Sequence, residues 1–137
     1  MSPTPASRTV AFGEVAASSQ SGVDTTSLVV GTSDASRALI ARQVPNATPS
    51  ADRVLVAVFQ GEQRTGGFAV QITSIERRGD QLLVTATFTE PKQDSMVTQA
   101  LTSPAHVVSI AVSDAKGVKL AILLDQSGTE RARIDTA

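Results

Sequence analysis

A two-residue alternation of apolar and polar positions recurs along the chain. Phe68, Val70 and Ile72 form one such series; Leu82, Val84, Ala86 and Phe88 form another, against Leu83, Thr85, Thr87 and Thr89. This period fits strands that rest one face on a core. The first series slips, because Ile75 rather than Ser74 is its next large apolar residue. The slip predicts a β-bulge near Thr73–Ser74, and Gly79-Asp80 predicts a two-residue hairpin turn between the two strands. Val54 to Phe59 is apolar throughout, as expected of a central strand covered on both faces. Weaker strand signals fall at Val10–Val15 and Ser27–Gly31.

After Pro104 the alternation returns in His106, Val108, Ile110 and Val112, then in Val118, Leu120, Ile122 and Leu124, and ends in a short strand at Arg131–Ile134. Asp114–Gly117 and Asp125–Gly128 each fit a type I turn followed by a left-handed glycine, so this third reads as an antiparallel meander. A helix is predicted over Ser33–Val44, with Ser33 as N-cap, Asp34 at its positive end, Ala35/Leu39 and Ile40/Val44 as i,i+4 pairs, and Pro45 as its stop. It is expected to pack on one face of the Val54–Phe59 strand. Met96–Leu101 is compatible with one further turn of helix. The fold class that follows is mainly β (α+β): an antiparallel β-sandwich or partly open barrel of about eight strands with one short helix. Residues 1–8, rich in Pro, Ser and Thr, are expected to be a disordered N-terminal segment, and residues 9–137 a single β-rich domain.

Composition narrows the function more than it names it. The 137 residues carry a net charge of −1 with the signs interspersed, which offers no field to recruit nucleic acid or an anionic membrane. Cysteine is absent, so disulfides and thiolate metal sites are excluded, and the only aromatics are four Phe. No apolar run reaches the length of a membrane span. The N-terminal MSPTPASRT has neither the basic nor the apolar region of a signal peptide.

Candidate chemistry is sparse. Gly61 to Phe68 follows a strand and superficially resembles a phosphate loop, but Gly67 and Phe68 stand where Lys and Ser/Thr are needed, and a strand follows rather than a helix. The plainer reading is a hairpin loop whose glycines serve the backbone. His106 is the sole histidine, so any hydrolase would depend on it. No nucleophile motif accompanies it, and its register with Val108 and Ile110 reads as a half-buried structural histidine. One His without Cys cannot supply the ligands zinc prefers, and the acidic residues show no calcium-loop spacing. No catalytic residue, cofactor or metal is therefore assigned. Asn46-Ala47-Thr48 fits a glycosylation acceptor with nothing to support it, and the hairpin accounts for Arg78-Gly79-Asp80.

The order VAVFQGE, RTGGFAVQI, VTATFTEP, MVTQALTSPAHVVSI, from Val54 to Ile110, resembles the C-terminal domain of the PrcB-like family, with looser similarity back to the helix. These are accessory proteins named for a subunit found with a surface-bound bacterial serine protease complex. The resemblance implies an extracytoplasmic, non-catalytic role with a protein partner, accessory or stabilising to a protease. Phe68 and Ala105 depart from it, standing where Tyr and an aromatic residue are often found. A second resemblance is to chagasin-type cysteine-protease inhibitors, small β-sandwiches that present a Thr-Thr-Gly-Tyr loop and an Arg-Pro-Trp loop. Thr65-Gly66-Gly67-Phe68 and Ser103-Pro104-Ala105 lie in comparable places, although the Trp is missing. From these features the partner-binding residues are expected to be Arg64, Thr65, Gly66, Gly67, Phe68, Met96, Leu101 and Pro104. Gln60–Phe68 and Met96–Ala105 would then form one exposed rim, unless Met96 and Leu101 plug the open end of the core.

Overall fold

In the computed structural model, which describes residues 7–18, 20–32, 34–44, 53–91, 96 and 101–135, the alternating segments build two sheets packed face to face. The strands are β1 (Ser7–Thr9), β2 (Phe12–Ser18), β3 (Ser27–Gly31), β4 (Arg53–Phe59), β5 (Ala69–Arg78), β6 (Gln81–Thr89), β7 (Ala105–Ala111), β8 (Leu120–Leu124) and β9 (Glu130–Asp135). Helix α1 is Asp34–Gln43 and α2 is one turn, Val112–Ala115. One sheet has the order β1-β5-β6-β8-β9 and the other β2-β7-β4-β3. The inner faces meet in a core that includes Val56, Val58, Ile72, Ile75, Val84, Ile110 and Leu123. This is a β-sandwich of α+β composition, and no closed barrel forms.

Central strand β4 is buried at every position from Val54 to Phe59, and its two faces serve different cores. Val54, Val56 and Val58 face the opposite sheet, whereas Leu55, Ala57 and Phe59 pack with Ile40 and Val44 of the helical segment. The helix thus covers β4 as expected, but through a narrower stripe: Ala35 and Leu39 point to solvent. Gly31 makes room for this packing, since a Cβ there would stand 3.1 Å from Ile40 Cδ1 and 3.3 Å from Leu55 Cβ. The predicted cap at Ser33 and stop at Pro45 lie outside the described residues, as does the Asn46–Thr48 tripeptide.

The β5–β6 hairpin has the predicted register. Its shift falls between Ile72 and Ser74, and Gly79, with φ +60, closes the turn between paired residues Arg78 and Gln81. A positive φ at the first central residue alone fits a type II′ turn. The last turn also forms as expected between β8 and β9: Asp125 C=O accepts from Gly128 N–H, and Asp125 Oδ1 accepts from Ser127 and Thr129 N–H. These bonds, led by that from Thr129, hold the Asp125 carboxyl below its usual pKa.

Three expectations are corrected. The C-terminal third is not a meander: β7 lies in one sheet and β8 in the other, parallel to β6. Inserting one strand in the facing sheet restores the chain direction, so β6 and β8 run alike. Val112 leaves the strand for α2, which is tied to the hairpin by Arg77 Nη1 donating to Asp114 C=O and to β1 by the Arg8–Asp114 ion pair at 2.9 Å. Second, Ser7 and Arg8, expected to fall in the N-terminal segment, pair with Arg78 and Arg77 as part of β1; residues 1–6 lie outside the described residues. Third, the first strand signal divides. Val10 is a buried crossover residue whose N–H bonds Ile75 C=O, and the strand proper begins at Phe12. Among the described residues no helix is long and apolar enough to cross a membrane.

Candidate functional site

The β4–β5 and β6–β7 connections, far apart in sequence, meet at one end of the sandwich. Gln63 and Thr102 exchange backbone hydrogen bonds of 2.7 and 2.8 Å, and Gln60 N–H donates to Pro104 C=O at 2.9 Å. Thr102 Oγ1 adds a bond to Thr65 C=O at 2.8 Å. Four hydrogen bonds therefore hold the two loops as one structure, the side-by-side arrangement anticipated from sequence.

A third loop that sequence reasoning passed over completes the rim. Gln20 bridges Ser103, and buried Ser103 accepts through its C=O from Ser21 N–H and Oγ and through its Oγ from Gly22 N–H. Asp24 C=O accepts from Glu62 N–H, and Thr26 Oγ1 donates to Gln60 C=O. The glycine most constrained here is Gly61: φ is +93, and a Cβ would stand 3.0 Å from Thr26 N and 3.1 Å from Asp24 O. The only sequence signal for this loop was its density of Ser, Thr, Asp and Gly, which marks a turn without saying what it bonds. Buried Gln60 donates from Nε2 to Thr89 C=O, while its Oε1 has no partner among the described residues.

The anticipated rim residues do not all behave alike. Arg64 and Gly67 are exposed, with φ +87 at Gly67; Thr65, Gly66 and Phe68 are half-buried. Leu101 is 59% exposed and Met96 fully so, hence neither plugs the core. Pro104 is buried, and with Phe68 it lines a cleft of about 250 Å³ that also touches Ala17, Ala69, Val70 and Ala105.

His106, next in sequence to the cleft residue Ala105, is buried rather than half-buried. Its Nδ1 accepts the Ile72 N–H at 2.9 Å, and its Nε2 is 3.6 Å from Glu14 Oε1. Burial lowers its pKa from the ordinary value, outweighing the opposing pull of Glu14. The bond fixes Nδ1 as the unprotonated nitrogen, since it must accept. No hydroxyl hydrogen-bonds the ring, and no cluster of His, Asp or Glu suited to a metal occurs among the described residues.

Fold and rim together define a small β-sandwich whose most elaborate surface is built from interlocked loops. Residues 54–111 match the family model described as PrcB C-terminal. The matched segment supplies inner strands of both sheets (β4 and β7, β5 and β6) and both expected rim loops. No curated protein and no solved structure shows significant similarity to the chain.

Proposed function

We propose that the protein is a non-catalytic protein-binding module, an accessory or stabilising domain of an extracytoplasmic bacterial protease complex, with the loop rim as its partner surface. The observation that carries this reading is the union of the two loops of the PrcB-like segment into one hydrogen-bonded rim with Arg64, Leu101 and Gly67 exposed on it. Loops fixed in this way bind with little ordering cost, and an exposed Leu beside a cation suits a protein partner. His106 supports a non-catalytic role, because its accepting nitrogen is spent on the backbone of β5.

The test is capture of a partner from the native host by the immobilised protein. Arg64→Glu and Thr65→Ala should weaken capture while the melting temperature stays nearly constant, since surface changes cost within about 0.5 kcal/mol. Thr65→Ala removes a hydroxyl that, among the described residues, bonds the neighbouring Gly66 C=O, and keeps the carbonyl that Thr102 uses. Equal capture by parent and variants contradicts the rim assignment. A sandwich-type protease inhibitor is the second reading, favoured by Phe68 and Pro104 meeting in one cleft. Titration against cysteine and serine proteases separates the two, because an accessory domain leaves their activity intact. A panel of hydrolase substrates should show no turnover; activity that disappears in His106→Ala would make the protein an enzyme.

A further inference from the structure

Strand β5 leaves part of one edge bare beside the rim, and the parity of its ladder identifies which groups face outward. Phe88 in β6 donates its N–H to Gln126 Oε1 and accepts from Gln126 Nε2, at 2.9 and 3.0 Å, on the side away from β5. Its cross-strand partner Val70 therefore belongs to a non-hydrogen-bonded pair, and the Val70 N–H and C=O point away from β6. Ile72 has the same orientation, and His106 Nδ1 takes its N–H. After the bulge the orientation returns at Ile75, whose C=O accepts from Val10 N–H. Short β1 then covers Glu76, Arg77 and Arg78. Val70 N–H, Val70 C=O and Ile72 C=O are left without a partner among the described residues, and Val70 lines the same cleft as Phe68 and Pro104.

We propose that this edge accepts an extended segment of a partner polypeptide as an added strand on β5, with one apolar side chain of that segment seated in the cleft. The proposal rests on the protein-binding reading given above and specifies how the partner is held. An extended chain is the ligand whose own N–H and C=O match a donor and two acceptors spaced along a strand. The cleft, at about 250 Å³, falls below the roughly 300–1,000 Å³ of small-molecule sites and suits a single side chain. The edge also lacks the usual defences against strand addition. Ala69, Gln71 and Thr73 are exposed and uncharged, whereas the opposite edge, β9, carries Glu130, Arg131, Arg133 and Asp135.

The test selects phage-displayed random octapeptides on the full chain and resynthesises the strongest binder with N-methyl groups on alternate amides. Methylation of one alternate set should weaken binding at least about tenfold while the other set is tolerated, because only one edge of an added strand faces β5. Amide exchange at Val70 should slow at least about tenfold in the complex, as an open-edge amide becomes hydrogen-bonded. Ala17→Glu, an exposed change at the cleft wall, should abolish peptide binding without moving the melting temperature. The proposal is overturned by failure to enrich any peptide, by indifference to both methylation patterns, or by an unchanged Val70 exchange rate. Val70 protection that rises with protein concentration in the absence of peptide also overturns it, since the occupant is then a second copy. The underlying reading is judged separately: a host partner lost with Arg64→Glu but kept with Ala17→Glu leaves the binding module standing and removes strand addition.

Discussion

Two residues show how single contacts are shared between fold and site. His106 accepts the Ile72 N–H, a donor on the edge of β5. His106→Ala leaves that buried donor unpaired and should cost about 1–3 kcal/mol, read as a fall in denaturant midpoint. The same bond sets a pH dependence. Burial lowers the folded-state pKa below the ordinary 6.5, so the unfolded chain binds the proton more readily. The stabilisation is complete above about pH 6.5 and declines as pH falls toward the lowered folded value. Melting temperature should therefore drop between about pH 7.5 and about pH 5, and this component should be missing in His106→Ala; identical profiles contradict the assignment. Gly61 and Gly128 form a second contrast. Both have positive φ, but a Cβ at Gly128 meets nothing within 4 Å, whereas at Gly61 it meets backbone of the third loop at 3.0 Å. Gly128→Ala should cost about 1–2 kcal/mol from backbone conformation alone. Gly61→Ala should cost clearly more, measured in the same chemical denaturation series. Equal losses would show that the close approach of the loops contributes nothing.

At the scale of elements, what the sequence reveals is decided by whether a signal is local. The bulge beside Thr73, the Gly79 turn and the two-sided burial of β4 are legible because apolar period and turn chemistry act within a few residues. Gly79→Val should destabilise the hairpin by about 1–3 kcal/mol, since a β-branched residue is strained at positive φ; an unchanged melting midpoint would contradict the turn. The pairing of β8 with β6 is not legible in the same way. Alternation in Leu120–Leu124 says that one face is buried, not which strand lies beside it, and Asp114–Gly117 looks like a hairpin turn whether or not the chain changes sheet. The contacts that mark the crossover, Arg77 and Arg8 to Asp114, join residues far apart in sequence. Likewise α1 shows more apolar pairs than it buries, because the width of its stripe is set by β4 and Gly31 rather than by the helix itself.

On the scale of the whole molecule, β4, β5, β6, β7 and two of the three rim loops come from the matched segment, residues 54–111, while β1, β2, β3, β8 and β9 extend the two sheets outward from it. The meeting of Gln60–Phe68 with Leu101–Ala105 was readable from their shared lack of strand period between strong strands. The role of Ser21, Gly22 and Asp24 was not, because backbone carbonyls carry it and these leave no mark on residue type. The central claim is that this end of the sandwich, and no other surface, holds the protein partner. Hydrogen–deuterium exchange on the complex captured from the native host tests it most directly. The account predicts slowed exchange over residues 60–68 and 101–105, with the β8–β9 hairpin unchanged; protection confined to β8, β9 or α1, with the rim exchanging as in the free protein, contradicts it.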